Sequence, residues 1–125
     1  TYYSELDRLE NPEAIPEDEM VMNAYPAYWK DLLAYDQVAM AAEMTEPCLV
    51  LQGAEDYQVT MEDFGIWKDA YEDRENWQFI SYPGLTHLFM EGKKSDGASA
   101  YNAAQQVDGQ VISDIAAFVK SSSEG

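Results

Sequence analysis

The 125 residues suit one domain or part of one, and at 46% hydrophobic and 13% aromatic they hold enough apolar material for a packed core, which excludes a disordered chain. Acidic side chains outnumber basic ones 24 to 7, and the net charge of −17 repels nucleic-acid phosphates and anionic membrane surfaces alike. The single Cys48 excludes an internal disulfide, and no apolar run approaches the roughly 18 residues of a membrane span.

Residues 1–25 are acidic and broken by Pro12 and Pro16. Tyr2, Tyr3, Leu6 and Leu9 can form one face of a short helix, and Pro16-Glu17-Asp18-Glu19 reads as the first turn of another, because Pro and acids suit a helix N-terminus. The piece is too small to hold its own core and is predicted to be the end of a helical lid or inserted segment. From Pro26 to Ala42, residues Tyr28, Trp29, Leu32, Leu33 and Tyr35 give a partly amphipathic helical pattern, and Asp36 can cap a second short turn over Val38 to Met44. Thr45-Glu46-Pro47 breaks it. The apolar run 48–52 that follows has the character of a strand buried on both faces, with Cys48 as a small buried hydrophobe, and Gly53 ends it. Thr60 opens the next helix, with Asp63 three residues on as in a capping box. Phe64, Trp67, Ala70 and Tyr71 share one face of that helix. Residues 77–82 roughly alternate and predict a second strand, closed by a Pro83-Gly84 turn. Residues 91–100 read as a Gly/Ser/Lys loop, Gly109 precedes a last helix with Val111, Ile112, Ile115, Ala116 and Val119 on one stripe, and Ser121 to Gly125 read as a frayed tail. Trp29, Trp67 and Trp77 are expected in the core.

The predicted order is strand, helix, strand, helix. Strands 48–52 and 77–82 with a helix between them form a parallel, right-handed βαβ unit of an α/β fold. Two parallel strands make a poor sheet alone, so completion from outside this chain is expected.

Sites in open α/β sheets form beyond the carboxyl ends of strands. Asp56 lies four residues past Gln52, and His87 five residues past Tyr82. Singly, an Asp after a strand is usually a turn or cap residue, and a lone His a hydrogen-bonded packing residue. Together, at equivalent positions on neighbouring strands, they can form a pair: a carboxylate that accepts from one ring nitrogen fixes the tautomer and frees the other nitrogen to take a proton. Tyr57, Phe89 and Met90 flank the pair and are candidates for the substrate pocket, with packing of Tyr57 against its own loop as the competing role. Glu55 is expected to point into solvent. Lys93 and Lys94 read as a solvated loop, since no Gly-rich strand-to-helix loop accompanies them to make a phosphate site. One His and one Cys cannot build the common zinc sites, no Asp-x-Asp-x-Asp-Gly calcium loop is present, and no cofactor is expected.

Gly53-Ala54-Glu55-Asp56-Tyr57-Gln58-Val59 resembles the Gly-x-x-Asp-x-x-Val segment of α/β-hydrolases, and Pro83-Gly84-Leu85-Thr86-His87 resembles their histidine loop. Tyr28-Trp29, Leu51-Gln52-Gly53, Trp67-Lys68 and Leu88-Phe89 extend the likeness, which runs from about Pro26 to Val119 and is closest to the bacterial esterase, dienelactone-hydrolase-like and serine-peptidase-like groups. The resemblance implies that residues 26–125 are the C-terminal part of a catalytic domain. It implies a triad in the order Ser, Asp, His, with Asp56 as the orienting acid and His87 as general base and then acid. The implied reaction is cleavage of an ester, thioester or peptide bond in a small-molecule or peptide substrate.

The chain departs from that family in one respect. No Gly-x-Ser-x-Gly pentapeptide is present; Gly97-Ala98-Ser99-Ala100 lacks the closing Gly and follows the histidine. The nucleophile and oxyanion hole are therefore expected in an N-terminal half of the same protein, and the 125 residues alone are predicted inactive. The chain opens on Thr1 with no initiator Met and reads as starting mid-protein. No signal peptide is visible, and a cytoplasmic location is expected. Two other readings stay open: a non-catalytic hydrolase-like binding or assembly module, and an enzyme of the same scaffold with another nucleophile, for which Cys48 at the head of a strand is poorly placed. An exposed sheet edge favours pairing with a companion fragment or a strand-paired homodimer.

Overall fold

The computed structural model of the chain describes residues 2–103 and 105–124; Thr1, Ala104, Gly125 at the tip of the expected tail, and the Tyr2 side chain of the expected helix face lie outside it. The chain divides into two compact units, Thr1–Glu43 and Met44–Gly125. No helix among the described residues is long and apolar enough to cross a membrane.

The first unit holds α1 (Tyr2–Arg8), a 3-10 turn (Pro12–Ala14), α2 (Pro26–Ala34), α3 (Gln37–Met40) and a second 3-10 turn (Ala41–Glu43). Ile15, Val21, Pro26 and Ala41 are the buried residues of this unit among those described. Pro16 to Glu19 is a turn, closed by the Glu19 N–H on the Pro16 carbonyl at 3.0 Å, and not the helix start that its composition suggests. The reason lies just downstream. Met22 (φ 48°) and Asn23 (φ 64°) are both left-handed and make a tight turn between the paired residues Val21 and Ala24, which no continuing helix permits. Pro26 occupies the first turn of α2, where its missing N–H costs nothing. The Trp29 indole donates to the Val21 carbonyl at 2.9 Å and is half-buried, while Tyr28, Leu32, Leu33 and Tyr35 stay exposed. Asp36 caps α3 as its side chain accepts from the Ala39 N–H at 2.9 Å.

The second unit is a βαβα arrangement: β1 (Cys48–Gly53), α4 (Met61–Tyr71), β2 (Trp77–Tyr82), a 3-10 segment (Lys94–Tyr101) and α5 (Gly109–Ser123). The two strands pair in parallel, in a register that runs from Cys48 opposite Trp77 to Gly53 opposite Tyr82. Side chains alternate across a strand, so the faces differ. On one face Trp77 stacks on Tyr71 of α4 at 4.4 Å and on Phe79 at 5.9 Å, and Phe64 meets Phe79 edge-on. On the other, Tyr82, Leu85 and Val111 form the core, with Leu51, Ile80 and Phe89 packed against it. The Thr60–Asp63 capping box is formed in full at the start of α4.

Several expectations need correction. Cys48 to Leu51 are half-buried and not fully enclosed, because the aromatic stack covers β2 and, among the described residues, β1 pairs along one edge only. Trp77 is buried, whereas Trp67 is half-buried and Ala70 exposed. Residues 94–101 are not an open loop but a 3-10 segment kinked at Gly97, where φ is 54°. α5 continues to Ser123: the Ser121 and Ser123 hydroxyls bond back to the carbonyls of Phe118 and Lys120, which extends the helix through the expected tail.

The stripe on α5 is the largest difference. Val111 is 1% exposed, but Ile112, Ile115 and Val119 are 58%, 43% and 59% exposed. The helix is turned about one residue position (~100°) away from its apolar stripe. A polar bond accounts for this: the buried Tyr82 hydroxyl donates to Asp114 Oδ2 at 2.6 Å. A buried hydroxyl without an acceptor costs about 1–3 kcal/mol. Meeting it selects the Val111, Asp114 and Phe118 side of the helix.

Candidate active site

The sequence places Gly53 where β1 ends and β2 turns away, and the backbone there leaves no room for a side chain. A Cβ on Gly53 would lie 2.5 Å from the Leu85 carbonyl oxygen and closer still to that of Thr86. Two backbone bonds extend the strand pairing beyond the strands: the Ala54 N–H to the Tyr82 carbonyl and the Glu55 N–H to the Leu85 carbonyl, both at 2.9 Å. The loop after β1 and the loop after β2 are thus stitched together before either reaches its candidate residue, Asp56 or His87.

Asp56 folds its loop around itself. Its Oδ1 accepts from the Gln58 and Val59 N–H groups at 2.8 and 3.0 Å, the local bonding to which Asp side chains are suited. Beyond Tyr82, Gly84 takes φ 77° and reverses the chain. Leu85 then bridges Glu91, the Thr86 N–H donates to the Met90 carbonyl at 2.9 Å, and the Phe89 N–H closes a turn on the Thr86 carbonyl at 3.0 Å. His87 stands in that turn. Phe89, a non-glycine residue at φ 55°, is held in the left-handed region by these bonds.

The geometry brings His87 Nδ1 to 2.7 Å from Asp56 Oδ2. The carboxylate side chain is 5% exposed and the imidazole 40%. Burial pushes the Asp56 carboxyl upward, but the bonds from Val59, His87 and Gln58 outweigh it and hold it below the ordinary carboxylate value. An ionised carboxylate only accepts, so the shared proton belongs to Nδ1, and Nε2 keeps its lone pair. Nε2 makes no hydrogen bond to any described residue. Such an imidazole can take a proton from a hydroxyl brought to its exposed side, and the carboxylate steadies the imidazolium that results.

A cleft of about 190 Å³ opens beside the pair, walled by Leu51, Gly53, Val59 and Phe89 around Gln52, Asp56 and His87. Of the candidate pocket residues, Phe89 lines it. Tyr57 packs its ring 6.0 Å from that of Tyr101, and Met90 contributes its carbonyl as the double acceptor for the Thr86 N–H and hydroxyl; neither lies in the cleft wall. Glu55 does not simply face solvent. Its Oε2 accepts from the Lys94 N–H at 2.9 Å, one of the N–H groups that the start of a helical segment leaves unpaired. Cys48 sits far down β1 from the site, its thiol pushed up by burial and by Glu46 and bonded to the Glu46 carbonyl. No group of three His, Cys, Asp or Glu among the described residues could hold a metal ion. Gln52 and Thr86 are both buried and bonded into the two loops, and pattern reasoning passed over them; for Gln52 the available signal was a polar residue closing an apolar strand.

A family model described as "Dienelactone hydrolase family" matches residues 13–117. The chain is also 35% identical over 114 residues to the curated protein Esterase EstD of Thermotoga maritima, an alignment that covers 91% of this chain and 27% of that protein. The chain therefore spans about a quarter of the length of the curated relative it matches. No solved structure matches it significantly.

Proposed function

Because the chain belongs to the dienelactone hydrolase family of α/β-hydrolases, we propose that it supplies the acid and the base of a serine hydrolase that cleaves esters. Asp56 orients His87 and stabilises its protonated form. His87 Nε2 takes the proton of a serine hydroxyl as that oxygen attacks the acyl carbon, then returns it to the leaving alkoxide; water repeats the cycle to release the acid. The serine and the oxyanion donors come from sequence outside these 125 residues. The single observation that carries the reading is the 2.7 Å bond between a buried carboxylate and a half-open imidazole at the carboxyl ends of adjacent parallel strands. The esterase named among the curated relatives favours an ester over a peptide bond.

The test uses the parent protein. With a p-nitrophenyl ester, His87→Ala is expected to lower kcat on the order of 10⁴-fold or more, the scale at which triad members act. The 125-residue chain alone is expected to hydrolyse no faster than buffer and to take no fluorophosphonate label. A full-length protein whose His87→Ala variant hydrolyses the ester at the original rate overturns the reading; a full-length protein that neither hydrolyses the ester nor takes the fluorophosphonate label leaves the hydrolase-like binding module.

A further inference from the structure

Gln52 is the last side chain of β1 before Gly53 and is 6% exposed. A buried carboxamide is expensive unless it is bonded, so its partners matter. All of them are acceptors, which fixes the nitrogen as the atom that faces them. Gln52 Nε2 lies 2.7 Å from the Val59 carbonyl oxygen and 3.0 Å from that of Gly53. Its third neighbour, at the long distance of 3.4 Å, is Asp56 Oδ2. Gly53 and Val59 are the two ends of the excursion that carries Asp56. The same carboxylate oxygen faces His87 Nδ1 at 2.7 Å.

We infer that Gln52 is a positioning residue: its amide ties the two ends of the acid loop together and holds Asp56 Oδ2 on the line to His87 Nδ1. Its amide nitrogen bonds to Gly53, Val59 and Asp56 and not to the imidazole. Its action passes through the acid, so the inference rests on the reading of Asp56 and His87 as a working pair. Asp56 Oδ1 is already committed to the Gln58 and Val59 amides, and those bonds fix the carboxylate within the loop. They do not fix the loop against β1. Gln52 alone among the described side chains joins the strand to both loop ends.

The chain offers a direct readout, because His87 is its only histidine. Ring ¹⁵N shifts of the neutral imidazole report which nitrogen carries the proton, and here the acceptor facing Nδ1 decides it. In the 125-residue chain, once its β1–β2 amides are shown to be protected from exchange, the unsubstituted parent form is expected to show the Nδ1–H tautomer. Gln52→Met keeps the volume and removes the donor; it is expected to revert His87 to the Nε2–H form that a free imidazole side chain prefers, while the β1–β2 amides stay protected from exchange. In the full-length protein the same substitution is expected to lower kcat tenfold or more for an ester and leave KM within twofold. A purely structural role for Gln52 would move neither the tautomer nor that split. If the parent shows Nδ1–H and Gln52→Met retains it, the inference fails while the pair stands. If the parent itself shows Nε2–H, the pair fails and Gln52 with it. Where Gln52→Met loses the sheet, Gln52→Leu is the second variant; loss of the sheet in both marks the amide as a folding residue and overturns the positioning role.

Discussion

Adding one methyl group at Gly53 is the sharpest test of how the two loops are joined. Gly53→Ala would place Cβ 2.5 Å from the Leu85 carbonyl oxygen, closer still to that of Thr86, and 3.0 Å from the Leu85 carbonyl carbon. These atoms are backbone and are held. Thr86 is 1% exposed with its N–H on Met90, and the Leu85 carbonyl accepts from Glu55. Relief therefore requires the His87 loop to back away from β1. Overpacking of this kind costs about 1–3 kcal/mol, and weakening of the Glu55–Leu85 bond adds about 1 kcal/mol. The expected loss is about 2–4 kcal/mol, a large part of the roughly 5–15 kcal/mol that holds a typical domain together. Urea unfolding followed by tryptophan fluorescence measures it, with the midpoint falling and the slope unchanged. The His87 tautomer should weaken toward Nε2–H in the same variant. A midpoint shift worth less than about 0.5 kcal/mol, within the range of neutral surface changes, would show that the loops yield freely and that the stitching does not fix the pair.

Further outcomes follow from other bonds. Asp56 is held below the ordinary carboxylate value, so its contribution to stability is present above about pH 4 and fades as the pH falls through its lowered folded value. The stability gap between the parent and Asp56→Asn should be widest above that pH and shrink under acid in urea titrations. Tyr82→Phe removes the donor to Asp114 and should cost about 1–3 kcal/mol. The Tyr82 hydroxyl is pushed above the ordinary tyrosine value by burial and by Asp114, so that difference is full below about pH 10 and is lost as the pH rises through the raised value. Thr60→Ala breaks the capping box of α4 and should cost about 1 kcal/mol, read as a lower thermal midpoint by circular dichroism.

What the sequence exposed was whatever has a local signature. The apolar run from Cys48, the Pro83-Gly84 turn and the Thr60–Asp63 spacing each act over a few residues, and β1, β2 and α4 stand where they indicate. The Asp56–His87 approach was legible because parallel pairing brings the ends of neighbouring strands together whatever lies between. The rotation of α5 was not legible. It depends on a bond between Tyr82 and Asp114, 32 residues apart, and apolar periodicity does not register a polar partner. The same holds for Glu55 and Lys94, 39 residues apart, whose bond anchors the start of the 3-10 segment. Gln52 was hidden in another way: one amide at the end of an apolar run reads as the strand stopping, and only the fold shows the loop closing back on it.

The ladder that continues past the strands has a bearing on redesign. Ala54 and Glu55 are bonded to fixed partners on the other loop, so the spacing between Gly53 and Asp56 acts as a ruler. One residue inserted there shifts both bonds and carries the carboxylate off the imidazole, however well the newcomer suits a turn. The stretch around Gly97 is tied to the acid loop at its two ends, by the Lys94 N–H on Glu55 and the Tyr101 hydroxyl on Gln58, and its left-handed kink at Gly97 breaks the regular spiral between them. Length added at Gly97 leaves the ruler between Gly53 and Asp56 intact.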